Sequence, residues 1–312
     1  MTRHPGVAPD VAELLDRHSA VIGARPGSNP VPIDQARQQH ENDVLRFSPR
    51  ETRDAVESVS DVELPAPRGT VSARLYRPAG ASHAVMVWIH GGGWVTGSID
   101  TGDVVARALC ARCDLTVVSV SYGLAPEHPW PSGLEDVRAA VAWVRENVAD
   151  AAPLLIGGDS AGGNLAAVIA GELGRDVVAG QVLVYPVIAL DEPQDAYPSR
   201  VENGTGYYVQ WDDVAWAIDK YVGEPDRGDP GVSPIRGVAA GRPPAVIAVA
   251  GFDPLRDEAV AFAEWLDAGG VAVDLLEFPG LVHGAFDMIG GSSTADEAMT
   301  ALASAVTRRL IP

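Results

Sequence analysis

Along most of the chain, short apolar runs alternate with stretches in which apolar residues return every three or four positions. Val85–Ile89 (Val-Met-Val-Trp-Ile) is apolar throughout, and residues 115–120, 154–156, 181–188, 245–250 and 271–278 are nearly so. Such runs predict strands buried on both faces. Residues 71–76 alternate apolar with polar and predict a half-buried strand. Between the runs, helical spacing predicts helices after Gly102, over 133–148 with Val137, Val141 and Val144 on one face, and over 162–174, 255–268 and 295–310. Buried strands alternating with amphipathic helices predict an α/β fold, a mostly parallel sheet covered by helices on both faces.

Two regions break this rhythm. Before residue 60, amphipathic helices are predicted over 11–22 and 35–47, separated by Pro- and Gly-rich breaks at 23–32. Residues 189–236 carry Tyr197, Tyr207, Tyr208, Trp211, Trp216 and Tyr221 among many Pro, Gly and Asp. The expected organisation is a core in two parts, 61–188 and 237–312. Residues 1–60 and the 189–236 insertion fold over the carboxyl edge of its sheet. No internal repeat is present.

Composition narrows the options. In 312 residues, 46% hydrophobic and 21% charged positions describe an ordinary folded chain and exclude disorder and coiled coil. No run of 18 apolar residues occurs, so no membrane span is expected. Forty-two acidic against 23 basic residues give a net charge of −19, a surface that repels phosphate backbones, so no nucleic-acid partner is expected. The N-terminus shows no apolar signal region, which makes the cytoplasm the expected location and the Asn203-Gly204-Thr205 sequon incidental. Cys110 and Cys113 form a CxxC late in the helix after Gly102. Redox pairs sit at helix N-termini, and two thiols cannot fill a zinc site, so both are expected to be packing residues.

The chemistry centres on Gly158-Asp159-Ser160-Ala161-Gly162. An apolar strand precedes it and an Ala-rich helix follows, the setting in which a sharp turn holds a serine hydroxyl out at the sheet edge. The helix N-terminus behind the serine favours developing negative charge. A serine needs a base within hydrogen-bond reach, and on such a turn the chain order is serine, acid, histidine. Of seven histidines only His283 follows Ser160; His4, His18, His40, His83 and His128 come too early and read as surface or cap residues. Many carboxylates compete for the acid. Asp253 is favoured because it lies just beyond the run 245–250. Asp257 and Glu258 fall inside the next helix, and Asp191, Asp195, Asp212 and Asp213 in the insertion. The His90-Gly91-Gly92-Gly93-Trp94 loop follows a buried strand where an oxyanion loop would sit, since a Cβ would block a tetrahedral intermediate. A phosphate-binding loop is the competing reading, but no G-K-[ST] follows. His90 is expected to brace this loop.

His90-Gly-Gly-Gly-Trp, Tyr122-Gly-Leu-Ala-Pro-Glu-His-Pro-Trp-Pro, Gly158-Asp-Ser-Ala-Gly-Gly-Asn-Leu, Asp253-Pro-Leu-Arg-Asp-Glu and His283-Gly occur in this order. Together they resemble the motif series of the hormone-sensitive lipase family, the bacterial family IV carboxylesterases, from about residue 60 to the end. The resemblance implies an α/β-hydrolase fold under a helical cap and ester hydrolysis without cofactor or metal. It further implies Ser160, Asp253 and His283 as triad, Gly92, Gly93 and Ala161 as oxyanion donors, a small-molecule ester as partner and, as in many relatives, a homodimer. Two positions depart: Gly123 stands where the family usually has Arg, and Ala285 where it usually has Phe. An amidase, lactonase or deacetylase on the same triad is the alternative enzyme. A ligand-binding receptor on this fold would typically have lost the histidine that is present here.

Overall fold

The computed structural model describes residues 4–20 and 31–311. Its strands are β1 (Ser58–Ala66), β2 (Gly69–Arg77), β3 (Val85–Ile89), β4 (Thr116–Val120), β5 (Leu154–Asp159), β6 (Gly180–Val184), β7 (Ala245–Phe252) and β8 (Val273–Val282). They form one sheet in the order β1-β2-β4-β3-β5-β6-β7-β8. β1, β2 and β4 pair antiparallel, and every pairing from β4 across to β8 is parallel. The helices are α1 (Pro9–Ser19), α2 (Ile33–Phe47), α3 (Asp103–Cys113), α4 (Ser132–Asn147), α5 (Ala161–Leu173), α6 (Pro198–Glu202), α7 (Trp211–Tyr221), α8 (Arg256–Ala268) and α9 (Ser293–Leu310).

The two faces of the apolar strands feed two cores. Val85, Val87 and Ile89 of β3 share one core with Val137, Val141 and Val144 of α4, Leu165 and Ile169 of α5, and Phe262 and Leu266 of α8. Met86 and Trp88, pointing the other way, pack with Val105 and Leu109 of α3 and Met299, Leu302 and Val306 of α9. The period of two along a strand thus divides an uninterrupted apolar run between helix layers. Cys110 and Cys113 lie buried as free thiols on α3, and burial pushes both up to about 12, so they pack rather than react.

The observed elements differ from expectation in instructive places. β1 was not anticipated: it is a mostly exposed strand at the sheet edge, carrying Ser58, Asp61 and Glu63 and no apolar run. β6 stops at Val184 instead of reaching Ile188, because Tyr185 turns to φ +36° and Pro186 follows. β7 runs to Phe252 and β8 to Val282, past a register shift between Ala250 and Phe252. Asp253 and His283 therefore directly follow their strands. The predicted Ile22 and the breaks at 23–30 lie outside the described residues. Among the described residues no helix is long and apolar enough to cross a membrane.

Candidate active site

Ser160 links β5 to α5 at φ 54° and ψ −120°, a conformation that a residue with a Cβ adopts only under constraint. The constraint is close packing. A Cβ on Gly158 would overlap the backbone of Gly162, and one on Gly162 would overlap the carbonyl of Ile89 on β3. The Ser160 N–H donates to the Val184 carbonyl at 2.9 Å, tying the turn to the end of β6. The side chain is held out at the carboxyl edge and stays partly exposed.

His283 comes to this point from the end of β8. Its Nε2 lies 2.9 Å from Ser160 Oγ and its Nδ1 2.8 Å from Asp253 Oδ2. With Nδ1 protonated, the ring donates to the carboxylate and accepts from the hydroxyl. Asp253 is fully buried, and its second oxygen accepts the Leu255 N–H at 2.7 Å. The Tyr185 ring lies 4.4 Å from the His283 ring, centroid to centroid. Asp257 is engaged elsewhere: one oxygen accepts from Arg256 Nε at 2.7 Å, the other from the Ser199 N–H at 2.8 Å.

Two residues that sequence reasoning passed over brace this region, one at the Asp253 turn and one on the helix that follows it. Asn203, at the end of α6, donates its side-chain amide to the carbonyls of Gly251 and Asp253, both at 3.2 Å. Arg200, also on α6, forms a fully buried ion pair with Glu258 of α8 and stacks on Trp211 at 4.4 Å and Tyr197 at 4.7 Å. A sequon and an isolated Arg gave no sign of either task.

The glycine loop is folded so that its members differ. The Gly91 N–H donates to Asp159 Oδ1 at 3.1 Å, whereas Gly92 (φ 114°) and Gly93 (φ 59°) face the same cavity as Ser160 and His283. The Gly92 carbonyl is anchored by the N–H groups of Val95 and Thr96. Ala161, in the first turn of α5, has no carbonyl within its helix to receive its N–H. His90 stacks on Tyr122 at 4.6 Å and contacts the Gly91 carbonyl at 2.8 Å; burial pushes its imidazole down to about 4, so it braces the loop in neutral form. Trp94 stacks on Tyr221 of α7 at 4.4 Å, joining the loop to the insertion.

The cavity above Ser160 has a volume of about 190 Å³. Its lining includes the apolar Val187, Val209, Val214 and Trp216, and also Gln39, His40 and Asp43 of α2 with His18 and Tyr208. His4 and His18 are buried rather than on the surface. At the cavity floor burial pushes the Asp159 carboxyl up to about 7, against the opposing pull of His283 and the Gly91 N–H. Asp287 is also raised, by burial and by the charge of Asp159. At Gly123 the space that a Cβ would enter holds the Arg68 guanidinium, which pairs with Asp136, and the Gly123 N–H donates to the same carboxylate at 2.9 Å. A guanidinium therefore occupies this place from β1–β2 rather than from residue 123. Ala285 is buried, and Phe286 beside it packs against Tyr185 and Phe278.

A family model described as alpha/beta hydrolase fold matches residues 86–287. Curated relatives include the carboxylic ester hydrolase LipN of Mycobacterium tuberculosis, 39% identical over 80% of this chain and 71% of the relative. The ethyl acetate hydrolase of Pseudomonas putida is 33% identical over 97% of this chain and 99% of its own. Among solved structures, the hyperthermophilic esterase of the archaeon Pyrobaculum calidifontis superposes with a TM-score of 0.89 at 33% identity, covering 97% of this chain and 98% of that one. The chain belongs to the α/β-hydrolase family, in its hormone-sensitive lipase branch of carboxylesterases.

Proposed function

We propose that the protein is a serine carboxylesterase for esters with short to medium chains, with Ser160 as nucleophile, His283 as base and Asp253 as its orienting acid. The observation that carries the reading is the unbroken chain from Ser160 Oγ through both nitrogens of His283 to a fully buried Asp253. Nε2 of His283 takes the hydroxyl proton as Oγ attacks the ester carbonyl. Asp253 holds the Nδ1–H tautomer and stabilises the imidazolium. The N–H groups of Gly92, Gly93 and Ala161 receive the oxyanion; loss of one such donor costs about 3–4 kcal/mol of transition-state stabilisation. The imidazolium then protonates the departing alcohol, and water activated by the same nitrogen releases the acid. Residues 1–60 and 189–236 act as the cap that bounds the acyl and alcohol arms. Its closeness to Ser160 and the modest cavity favour short to medium chains.

The test uses the intact protein with p-nitrophenyl acetate and a fluorophosphonate. Ser160→Ala is expected to lower kcat by about 10⁶-fold, as loss of the nucleophile does in a serine protease, with an unchanged melting temperature. The label is expected on the peptide bearing Ser160. Labelling at another serine overturns the assignment.

A further inference from the structure

Beyond the catalytic cavity lies a second one of about 310 Å³, between α1 and residues 206–210. Leu15, Tyr207, Gln210 and His4 line it, and it shares His18 and Tyr208 with the catalytic cavity. These two side chains form the partition. Their rings meet edge to face at 5.2 Å, and Phe47 meets the edge of Tyr208 at the same distance. His18 Nε2 stands 2.9 Å from a carboxylate oxygen of Asp43 without a well-aligned hydrogen bond, both residues being buried, and Asp43 pairs with Arg46 at 2.9 Å. Tyr208 sits on irregular chain between α6 and α7, two residues after Gly206, which has φ 90° and open space around it. Its ring lies over Gly284, the neighbour of His283, 2.8 Å from where a Cβ would be.

The second cavity is polar where it matters. His4 is 8% exposed, and neither of its ring nitrogens has a hydrogen-bond partner among the described residues; Asp16 stands 3.8 Å from Nε2. A buried imidazole with unmet hydrogen-bonding capacity is costly and marks a position where a polar ligand atom fits. Gln210 adds an amide on the same lining. We propose that this cavity is a distal subsite for esters in which one arm ends in a hydrogen-bonding group such as a carboxamide or hydroxyl, reached from Ser160 by displacement of Tyr208. The inference rests on the serine-esterase reading of the site.

Two matched series test it: p-nitrophenyl alkanoates against their ω-carbamoyl counterparts, and alkyl acetates against ω-carbamoylalkyl acetates, each from four to ten carbons. At one chain length in at least one series, kcat/KM is expected to favour the carbamoyl ester about tenfold, the worth of one buried hydrogen bond. His4→Leu is expected to abolish that ratio and His4→Gln, which keeps a donor and an acceptor, to retain it. Tyr208→Ala is expected to raise kcat/KM for the longest members about tenfold relative to acetate. A ratio near one at every length, or a preference that His4→Leu leaves intact, overturns the subsite. p-Nitrophenyl acetate separates the two readings. If Ser160→Ala still turns it over at the wild-type rate, the esterase reading fails; if turnover is lost and no carbamoyl preference exists, the subsite alone fails.

Discussion

The floor and the lid of the cavity above Ser160 are built by different rules. On the floor, backbone sterics decide: Gly158, Ser160 and Gly162 occupy a turn so tight that only their particular sizes fit, and Asp253 and His283 are carried by strand ends. In the lid, side chains decide. His18 of α1, Asp43 and Phe47 of α2, and Tyr208 of the insertion meet from three separate stretches of chain. A floor of this kind is intolerant of substitution and holds its chemistry to tenths of an ångström. A lid of side chains can change its lining without disturbing the floor.

The strongest way to break this contrast is at Asp253. Replacing it with Asn keeps the shape but favours the wrong imidazole tautomer, which costs about 10⁴ in kcat in a serine protease. Asp253→Asn is expected to lose activity on that scale with little change in melting temperature. Asp257→Asn, which weakens contacts to Arg256 and Ser199, is expected to lower stability and keep most activity. Stopped assays on p-nitrophenyl acetate with parallel thermal melts decide the matter. The opposite pattern would mean that the acid is misassigned.

The same contrast explains what could be read in advance. The elbow and the glycine loop were legible because their steric demands fall on residues adjacent in sequence, and the two strand-end residues because chain order and the ends of apolar runs single them out. Arg200, Asn203 and the Arg68–Asp136 pair were not, since each works through a partner more than forty residues away. β1 was hidden for another reason: as an exposed edge strand it buries too little to leave an apolar signature. The boundary of β7 moved from Ala250 to Phe252 because pairing continues beyond the bulge at Gly251, where a Cβ would overlap the backbone of Pro279.

A second prediction probes where lid and floor are joined. Arg200 and Glu258 are both almost completely buried, and Glu258 also accepts the Ile188 N–H at 2.7 Å. Glu258→Gln keeps that acceptor but leaves a buried guanidinium without its counter-charge. Breaking one partner of a buried pair costs about 3–5 kcal/mol. Denaturant melts are expected to show a loss of that size, while folded enzyme retains kcat within about threefold, since no reacting atom is touched. Unchanged stability with a large loss of kcat would place this pair in the chemistry and erase the distinction between joint and floor.

The smallest expected effect concerns pH and lies wholly in the floor. Asp159 titrates near 7 in the folded protein because it is buried, against 3.8 as its ordinary value. Between about pH 4 and pH 7 the folded state therefore holds a proton that the unfolded chain has already released. Stability from this group falls as pH rises through that window, and above it the penalty is constant. Asp159→Asn keeps an oxygen to accept the Gly91 N–H but cannot ionise, so it lacks this slope. Any fixed cost or gain of the amide shifts the variant equally at all pH values, so only the change in the gap with pH is diagnostic. Relative to wild type, Asp159→Asn is expected to gain about 2 kcal/mol between pH 5 and pH 8, seen as a few degrees in melting temperature. The gain is enlarged by Asp287, whose carboxyl is itself raised by the charge of Asp159 and is relieved when that charge is removed. A gap that stays constant or narrows with rising pH would mean that Asp159 is ionised throughout, with its charge held by the N–H groups around the elbow instead of being suppressed by burial.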